Sequence, residues 1–282
     1  MPELPDLEVM KDVLAEAVIG RPIADAAVHH PGILKTVSPA PDALRGRSFR
    51  EIARRGKHLI LTIEDDLHAV IHLMLAGRLV LCRSDTKATK ATAFRWTFED
   101  GDDLRLIENA NIHRACVYIV ARPDDVPSIA RAGVEPLSDA FTVDALSEMV
   151  RSKRRQLKKL LTDQTNIAGI GSAYADEILF YAKLSPVRYG PTLDDDEIER
   201  LHESVQHVLR WAIDEIRAGA GGPTLVPHAR SFVRIVKKTG QPCPDCGAKI
   251  AEIRYAQTKT YYCPQCQSSG RTIKDRRSWL TQ

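Results

Sequence analysis

Four cysteines near the carboxy terminus constrain this chain more than any other feature. They read Cys243-x2-Cys246, sixteen residues, then Cys263-x2-Cys266, the spacing of a four-thiolate zinc site. Pro244-Asp245 and Pro264-Gln265 place a tight knuckle inside each pair, so that two sulfurs aim at one point. Disulfides are the competing reading. The first eight residues hold Glu3, Asp6 and Glu8 and no apolar run, so no secretory signal is expected, and a reducing compartment favours metal over disulfide. Four sulfurs fill a tetrahedron and leave no place for a catalytic water, so the expected cofactor is one structural zinc ion. The surrounding segment is short-stranded and basic, too small to hold a core without such a staple. Cys82 and Cys116, in apolar strand-like runs, are expected in the core.

Over 282 positions, 44% hydrophobic and 27% charged residues are ordinary for a soluble folded chain of more than one domain, which excludes disordered and fibrous classes. The longest uncharged apolar stretch, Leu67 to Gly77, is too short to cross a bilayer. No membrane partner is expected, and the location is read as cytoplasmic. Net charge is only +3, yet it is unevenly placed. Six basic residues stand against one acid between Arg45 and His58, six against none between Arg151 and Lys159, and eleven against three from His228 onward. Separated basic stretches on a near-neutral chain fit a polyanion laid across the surface.

Periodicity divides the chain. Leu7, Met10, Leu14, Ala17 and Val18 share a helical face between Pro5 and Gly20. From about residue 47 to 120 the period is two. Phe94, Trp96 and Phe98 alternate with Arg95 and Thr97, Asp100-Gly101 marks a hairpin, and runs at 57–63, 67–75, 78–82, 104–107 and 115–120 complete a set of short strands. Helical spacing returns at Leu157, Leu160 and Leu161 and in a stripe from Ile198 to Ile216. The expected class is α+β: an N-terminal β-sandwich with a helix over residues 1–130, a helical domain over 131–227, and a zinc ribbon with a basic tail over 228–282.

Four features occur in order: Met1-Pro2-Glu3-Leu4-Pro5-Asp6-Leu7-Glu8, Arg54-Arg55-Gly56-Lys57, Gly169-Ile170-Gly171-Ser172-Ala173-Tyr174-Ala175-Asp176-Glu177, and the cysteine ribbon. Together they resemble the formamidopyrimidine-DNA glycosylase and endonuclease VIII family of base-excision repair enzymes, nearer the first branch by the Glu-Leu-Pro start. The resemblance implies a bifunctional DNA glycosylase and abasic-site (AP) lyase, a monomer associated with the nucleoid and acting on damaged double-stranded DNA in a basic cleft. Its nucleophile would be Pro2. With Met1 removed, the proline is a secondary amine able to bond to the sugar C1′ and form an iminium that serves as an electron sink. An α-amino group titrates at about 7.7–8, whereas a free lysine at about 10.4 is almost wholly protonated near neutrality. Glu3 matches the family's acid/base carboxylate, and Lys57 its hairpin lysine, which contacts the phosphate beside the lesion or assists bond cleavage. The Gly169–Glu177 segment resembles the turn of a helix-two-turns-helix element. It offers Gly169, Gly171, Ser172 and Tyr174 as DNA contacts at the start of a helix from Ala173 to Ala182, with Lys158 on the preceding helix as a phosphate contact by charge.

Several positions depart from the family pattern. Asp6 stands where the family usually has glutamate, and Ser172 replaces its asparagine. The void left by a flipped nucleotide must be filled, and Leu75 in His72-Leu73-Met74-Leu75-Ala76-Gly77 falls at the wedge position, with Met74 beside it. The second loop, Glu108 to Arg114, lacks an Arg-Arg-Phe signature and offers Ile112 instead. The phosphate-gripping arginine of the zinc hairpin falls at Thr258, next to Lys259, and the stretch Pro223 to Gly240 leaves little room for a loop closing over 8-oxoguanine. These departures touch lesion readout and strand grip, and they leave two alternatives open: a damaged-DNA-binding protein without catalysis, or a member specialised for bulky alkylated adducts.

Overall fold

The computed structural model describes residues 1–110, 114–219, 230–255 and 258–273. They fall into two compact units. One comprises residues 1–131 and the end of a long helix from Ile213; the other holds residues 132–212 and those from Arg230 onward. Among the described residues no helix is long and apolar enough to cross a membrane.

In the first unit, helix α1 (Leu4–Val18) buries Leu4, Leu7, Met10, Leu14 and Val18, the three- and four-residue spacing of one helical face. Strands β1 (Ile23–Val28), β2 (Phe49–Arg55), β3 (His58–Ile63), β4 (Leu67–His72), β5 (Gly77–Arg83), β6 (Thr92–Phe98), β7 (Asp102–Glu108) and β8 (Cys116–Val120) follow. They form two four-stranded antiparallel sheets, ordered β1-β6-β7-β5 and β2-β3-β4-β8. Leu59, Leu61 and Ile71 from one sheet meet Leu79, Trp96, Leu104 and Leu106 from the other in a core that also takes the face of α1. The inward alternation of Phe94, Trp96 and Phe98 is as expected, the first two rings lying 4.3 Å apart between centroids.

Three differences from the sequence reading have plain causes. The alanine-rich β1 carries little β-branched content and is a strand through its pairing with β6. The apolar run 67–75 is a strand only to His72, since Gly77 N–H donates to Leu73 O at 2.9 Å and closes a turn. Cys82 and Cys116 are half-buried; they alternate with the core-facing Leu79, Leu81, Val117 and Ile119, so the pleat turns them outward. A short helix α2 (Pro127–Ala130) completes this unit.

The second unit contains α3 (Val143–Ser152), capped by Thr142 Oγ1, which accepts the Ala145 N–H at 3.1 Å, and then α4 (Leu157–Thr162), α5 (Ser172–Tyr181) and, as far as Ala212, α6 (Asp195–Gly219). Asp195, Asp196 and Glu197 occupy the first turn of α6, where the helix dipole favours acids. The hairpin β9 (Ala251–Tyr255) and β10 (Thr258–Tyr262) precedes α7 (Pro264–Ser268). Two buried carboxylates on α5 hold this ribbon. Glu177 accepts the backbone N–H groups of Arg234, Ile235 and Val236, each at 3.0 Å, and Asp176 accepts that of Tyr261 at 3.0 Å.

Because α1 is anchored through its buried face, Leu14→Ala is expected to lower unfolding free energy by about 2–5 kcal/mol, measured by urea titration; a loss below about 0.5 kcal/mol would contradict that anchoring.

Candidate active site and nucleic-acid interface

Pro2 and Glu3 stand at the start of α1, both buried, with Met1 exposed. Glu3 is the helix N-cap, and its backbone N–H donates to Asp6 Oδ2 at 2.8 Å. Asp6 therefore closes the first helical turn, a capping task that the shorter carboxylate performs. One turn further, Glu8 Oε2 accepts from Arg54 Nε at 2.7 Å, and Glu8 also pairs with Lys11. Against the upward pull of burial, hydrogen bonds from Lys11 and Arg54 hold the Glu8 carboxyl below its usual range. Arg54 is itself largely buried and donates Nη1 to Gly56 O at 3.0 Å. Its guanidinium thus joins the helix that carries Pro2 and Glu3 to the β2–β3 turn that carries Lys57, where Gly56 takes a φ of +55° that a Cβ would disfavour. Lys57 is only 8% exposed.

His58 follows, packed edge-on against His72 with ring centroids 4.7 Å apart, its Nε2 2.9 Å from Ser128 Oγ. Burial pushes His58 down to about 4, opposed by a hydrogen bond with the Arg55 backbone. His72 is also lowered to about 4, by burial first and then by the charges of His58 and Lys57. Beyond His72 the 73–77 turn exposes Leu75 at 70% and leaves Met74 half-buried. Of the two wedge candidates, Leu75 is the one presented to solvent. Ile112 lies outside the described residues, as do 220–229, which cover much of the expected lesion-loop stretch. The buried Glu108 carboxylate accepts the N–H groups of Arg114 at 2.9 Å and Ala115 at 3.1 Å.

In the helical unit several residues expected to contact DNA have partners within the protein. Lys158 is buried, ion-paired to Asp176 Oδ1 at 2.7 Å, and donates to Lys259 O at 2.9 Å. Charge alone marked it as a phosphate contact; the tertiary fold uses it inside. Burial raises the Asp176 carboxyl, and the Lys158 charge opposes that rise. The exposed neighbour on α4 is Lys159. Gly169 donates its amide to Gln164 Oε1 at 2.9 Å, so its contribution is the φ of +86° rather than a free N–H. Gly171 is the N-cap of α5, which starts at Ser172, one residue before the expected Ala173. Ser172 is half-buried, its Oγ donating to Lys259 O at 3.3 Å. Tyr174 is fully buried, with the Arg230 guanidinium 4.7 Å over its ring. Thr258 and Lys259 are exposed on β10, while Tyr261 and Tyr262 are buried, the former in the apolar cluster with Cys243 and Cys263.

Cys243, Cys246, Cys263 and Cys266 bring their sulfurs within 4.8 Å of one another. Two of the distances are 3.9 Å (Cys243 to Cys266) and 3.5 Å (Cys246 to Cys263). A tetrahedron with Zn–S bonds of about 2.3 Å has edges of about 3.8 Å, so the four thiolates fit one zinc ion and leave no coordination position open.

Family models cover most of the chain: the formamidopyrimidine-DNA glycosylase N-terminal domain over residues 1–112, its H2TH domain over 132–222, and the zinc finger found in FPG and IleRS over 240–268. The formamidopyrimidine-DNA glycosylase of Desulforamulus reducens is 33% identical over 276 residues, 95% of this chain and 100% of the relative. That of Chloroflexus aurantiacus is 34% identical over 95% of this chain and 98% of its own. The chain belongs to the formamidopyrimidine-DNA glycosylase family. As a member it is a DNA-binding glycosylase and AP lyase of base-excision repair. Solved family structures agree. Lactococcus lactis Fpg in complex with abasic-site DNA matches with a TM-score of 0.85 and 27% identity, covering 94% of this chain and 99% of that one. The Fpg protein of Thermus thermophilus matches at 0.82 and 29%, over 94% and 98%.

Two measurements follow from this geometry. Below about pH 6.5 the unfolded chain protonates its histidines, while folded His58 and His72 stay neutral until about 4. Stability should therefore fall as pH drops through this window and level off beneath it. Thermal melting between pH 7 and 4 should show that slope, and His58→Gln should flatten it. Metal analysis should find one zinc per chain. Cys263→Ser should lose it and remove hydrogen-exchange protection from the β9–β10 amides, leaving the β-sandwich amides protected; loss of protection throughout would contradict a local structural role.

Proposed function

We propose that this protein excises damaged bases from duplex DNA and cleaves the resulting abasic strand, with Pro2 as nucleophile, Glu3 as acid/base and Lys57 as the cation beside the scissile phosphate. The observation that carries the reading is the placement of a buried Pro2-Glu3 start on a helix tied through Glu8 and Arg54 to the turn of Lys57. Once Met1 is removed, the Pro2 nitrogen bonds to C1′ as the bond from C1′ to the base breaks, its electron pair leaving with the base. The Pro2 nitrogen passes its proton to the departing base, the Glu3 carboxyl protonates the sugar ring oxygen, and the nitrogen lone pair replaces the C1′–O bond as the ring opens, leaving a positively charged iminium. The Glu3 carboxylate then takes a C2′ proton, and the freed electron pair neutralises the iminium as an enamine. The enamine re-forms the iminium as the C2′=C3′ bond forms and the bond from C3′ to the phosphate oxygen breaks, its pair leaving with the 3′ phosphate; water hydrolyses the iminium and returns the amine.

Zinc takes no step here. It braces the hairpin whose Lys259, with Thr258 and Ser172, faces the DNA backbone, while Leu75 fills the void left by the extruded nucleotide. Lys158, Gly169 and Tyr174 support this surface from within, as buried or amide-bonded parts of it. The substrate class we favour follows the DNA in solved Lactococcus lactis complexes, which carry an abasic site, Fapy-dG or an oxidised pyrimidine. The working form is a monomer in the cytoplasm, associated with the nucleoid.

Borohydride reduction on abasic-site duplex DNA should trap a one-to-one protein–DNA adduct that maps to the amino-terminal peptide of a chain lacking Met1. Glu3→Gln should retain trapping on abasic DNA while losing about 100-fold or more in base excision. An adduct on a lysine, or trapping by a chain that keeps Met1, would overturn the assignment of Pro2.

A further inference from the structure

We propose that His72 is a positioning residue for Leu75, its ring nitrogen holding the 73–77 turn in the shape that presents the leucine to the duplex. The inference rests on the reading of Leu75 as the wedge and adds the device that aims it.

The turn is unfavourable in isolation. It leaves a large apolar side chain, Leu75, 70% exposed, and it places Met74 at a φ of +51°, the left-handed region that residues with a Cβ avoid. Relaxation is blocked on both sides. Leu73 is buried in the sandwich core. Gly77 N–H is bonded to Leu73 O at 2.9 Å, and a Cβ on Gly77 would lie 2.4 Å from that oxygen. Between these anchors the bond that matches the left-handed step is Met74 N–H to His72 Nδ1, 3.1 Å long. A side-chain acceptor receiving the backbone N–H two residues on is the link an asparagine makes in an Asx turn.

For His72 to accept there, Nδ1 must carry no proton, and its surroundings ensure this. The ring packs edge-on against His58 at 4.7 Å, and burial together with the charges of His58 and Lys57 disfavours a second proton. His58 is fixed in turn by Ser128 Oγ at 2.9 Å and directly follows Lys57. The two imidazoles therefore connect the lysine turn to the wedge turn, and one displacement of either would be felt by the other.

The test compares cleavage of lesion duplex with cleavage of single-stranded abasic DNA, where no void needs filling, and follows insertion by the fluorescence of a 2-aminopurine placed beside the lesion. Leu75→Ala and His72→Ala should each lower the duplex-to-single-strand ratio about tenfold or more and blunt the fluorescence change. His72→Asn, which keeps an acceptor within reach of Met74 N–H, should recover most of the ratio. The decisive measurement is a double-mutant cycle. In a Met74→Gly background, where a glycine needs no help to adopt positive φ, His72→Ala should cost several-fold less than in the parent. Other contributions of the imidazole cancel in that comparison. If Leu75→Ala leaves the ratio unchanged, the wedge reading fails. If Leu75→Ala lowers it while His72→Ala costs the same in both backgrounds, or His72→Asn behaves as His72→Ala, the leucine is the wedge but His72 does not aim it.

Discussion

A helix buried from its first turn holds Pro2 and Glu3 in place, and the chemistry proposed for them depends on that. A terminal amine is normally the most mobile group of a protein. Here the residues after it are held by an apolar stripe in the sandwich core, by the Asp6 carboxylate on the Glu3 amide, and by the Arg54 guanidinium that joins Glu8 to the Gly56 carbonyl. The arginine works in partly buried surroundings, where charge-assisted hydrogen bonds are strong and directional. In the proposed mechanism the amine of Pro2 is thereby placed by the packing of the backbone that follows it.

The second unit solves a different problem, how to seat a ribbon too small for a core of its own. Zinc ties the two knuckles, and the neighbouring acids Asp176 and Glu177 take four ribbon amides between them. Buried carboxylates are tolerated when their oxygens are fully engaged, and Lys158 supplies the counter-charge for the first of them. The ribbon's placement is thus set by hydrogen-bond geometry as much as by apolar contact, which fits a surface that must meet DNA in one orientation.

The family and the zinc site were legible in the sequence, and the proposed catalytic residues are read from it, because such chemistry restricts residue types. A proline after methionine, an adjacent glutamate, a lysine in a glycine turn and four spaced cysteines have few other joint uses. What was not legible depended on partners distant along the chain. Lys158 reads as a surface cation until Asp176 is folded against it. Gly169 reads as an open amide until Gln164 reaches it. The basic stretch from Arg45 to His58 loses much of its apparent surplus in space, where Arg45 meets Asp25, Arg47 meets Asp65, Arg50 meets Glu64 and Arg54 meets Glu8. Counting charge along a chain overstates a patch whenever acids from elsewhere are packed beside it. Strand β1 was missed for a related reason: its alanines hold no strand preference, and only the neighbour β6 makes it one.

Three of the four metal ligands are shielded to some degree, but Cys246 is exposed. The exposed ligand residue is the side from which peroxide or a competing chelator approaches such a centre. Oxidants that damage bases would then meet the clasp of the ribbon first on the side of Cys246.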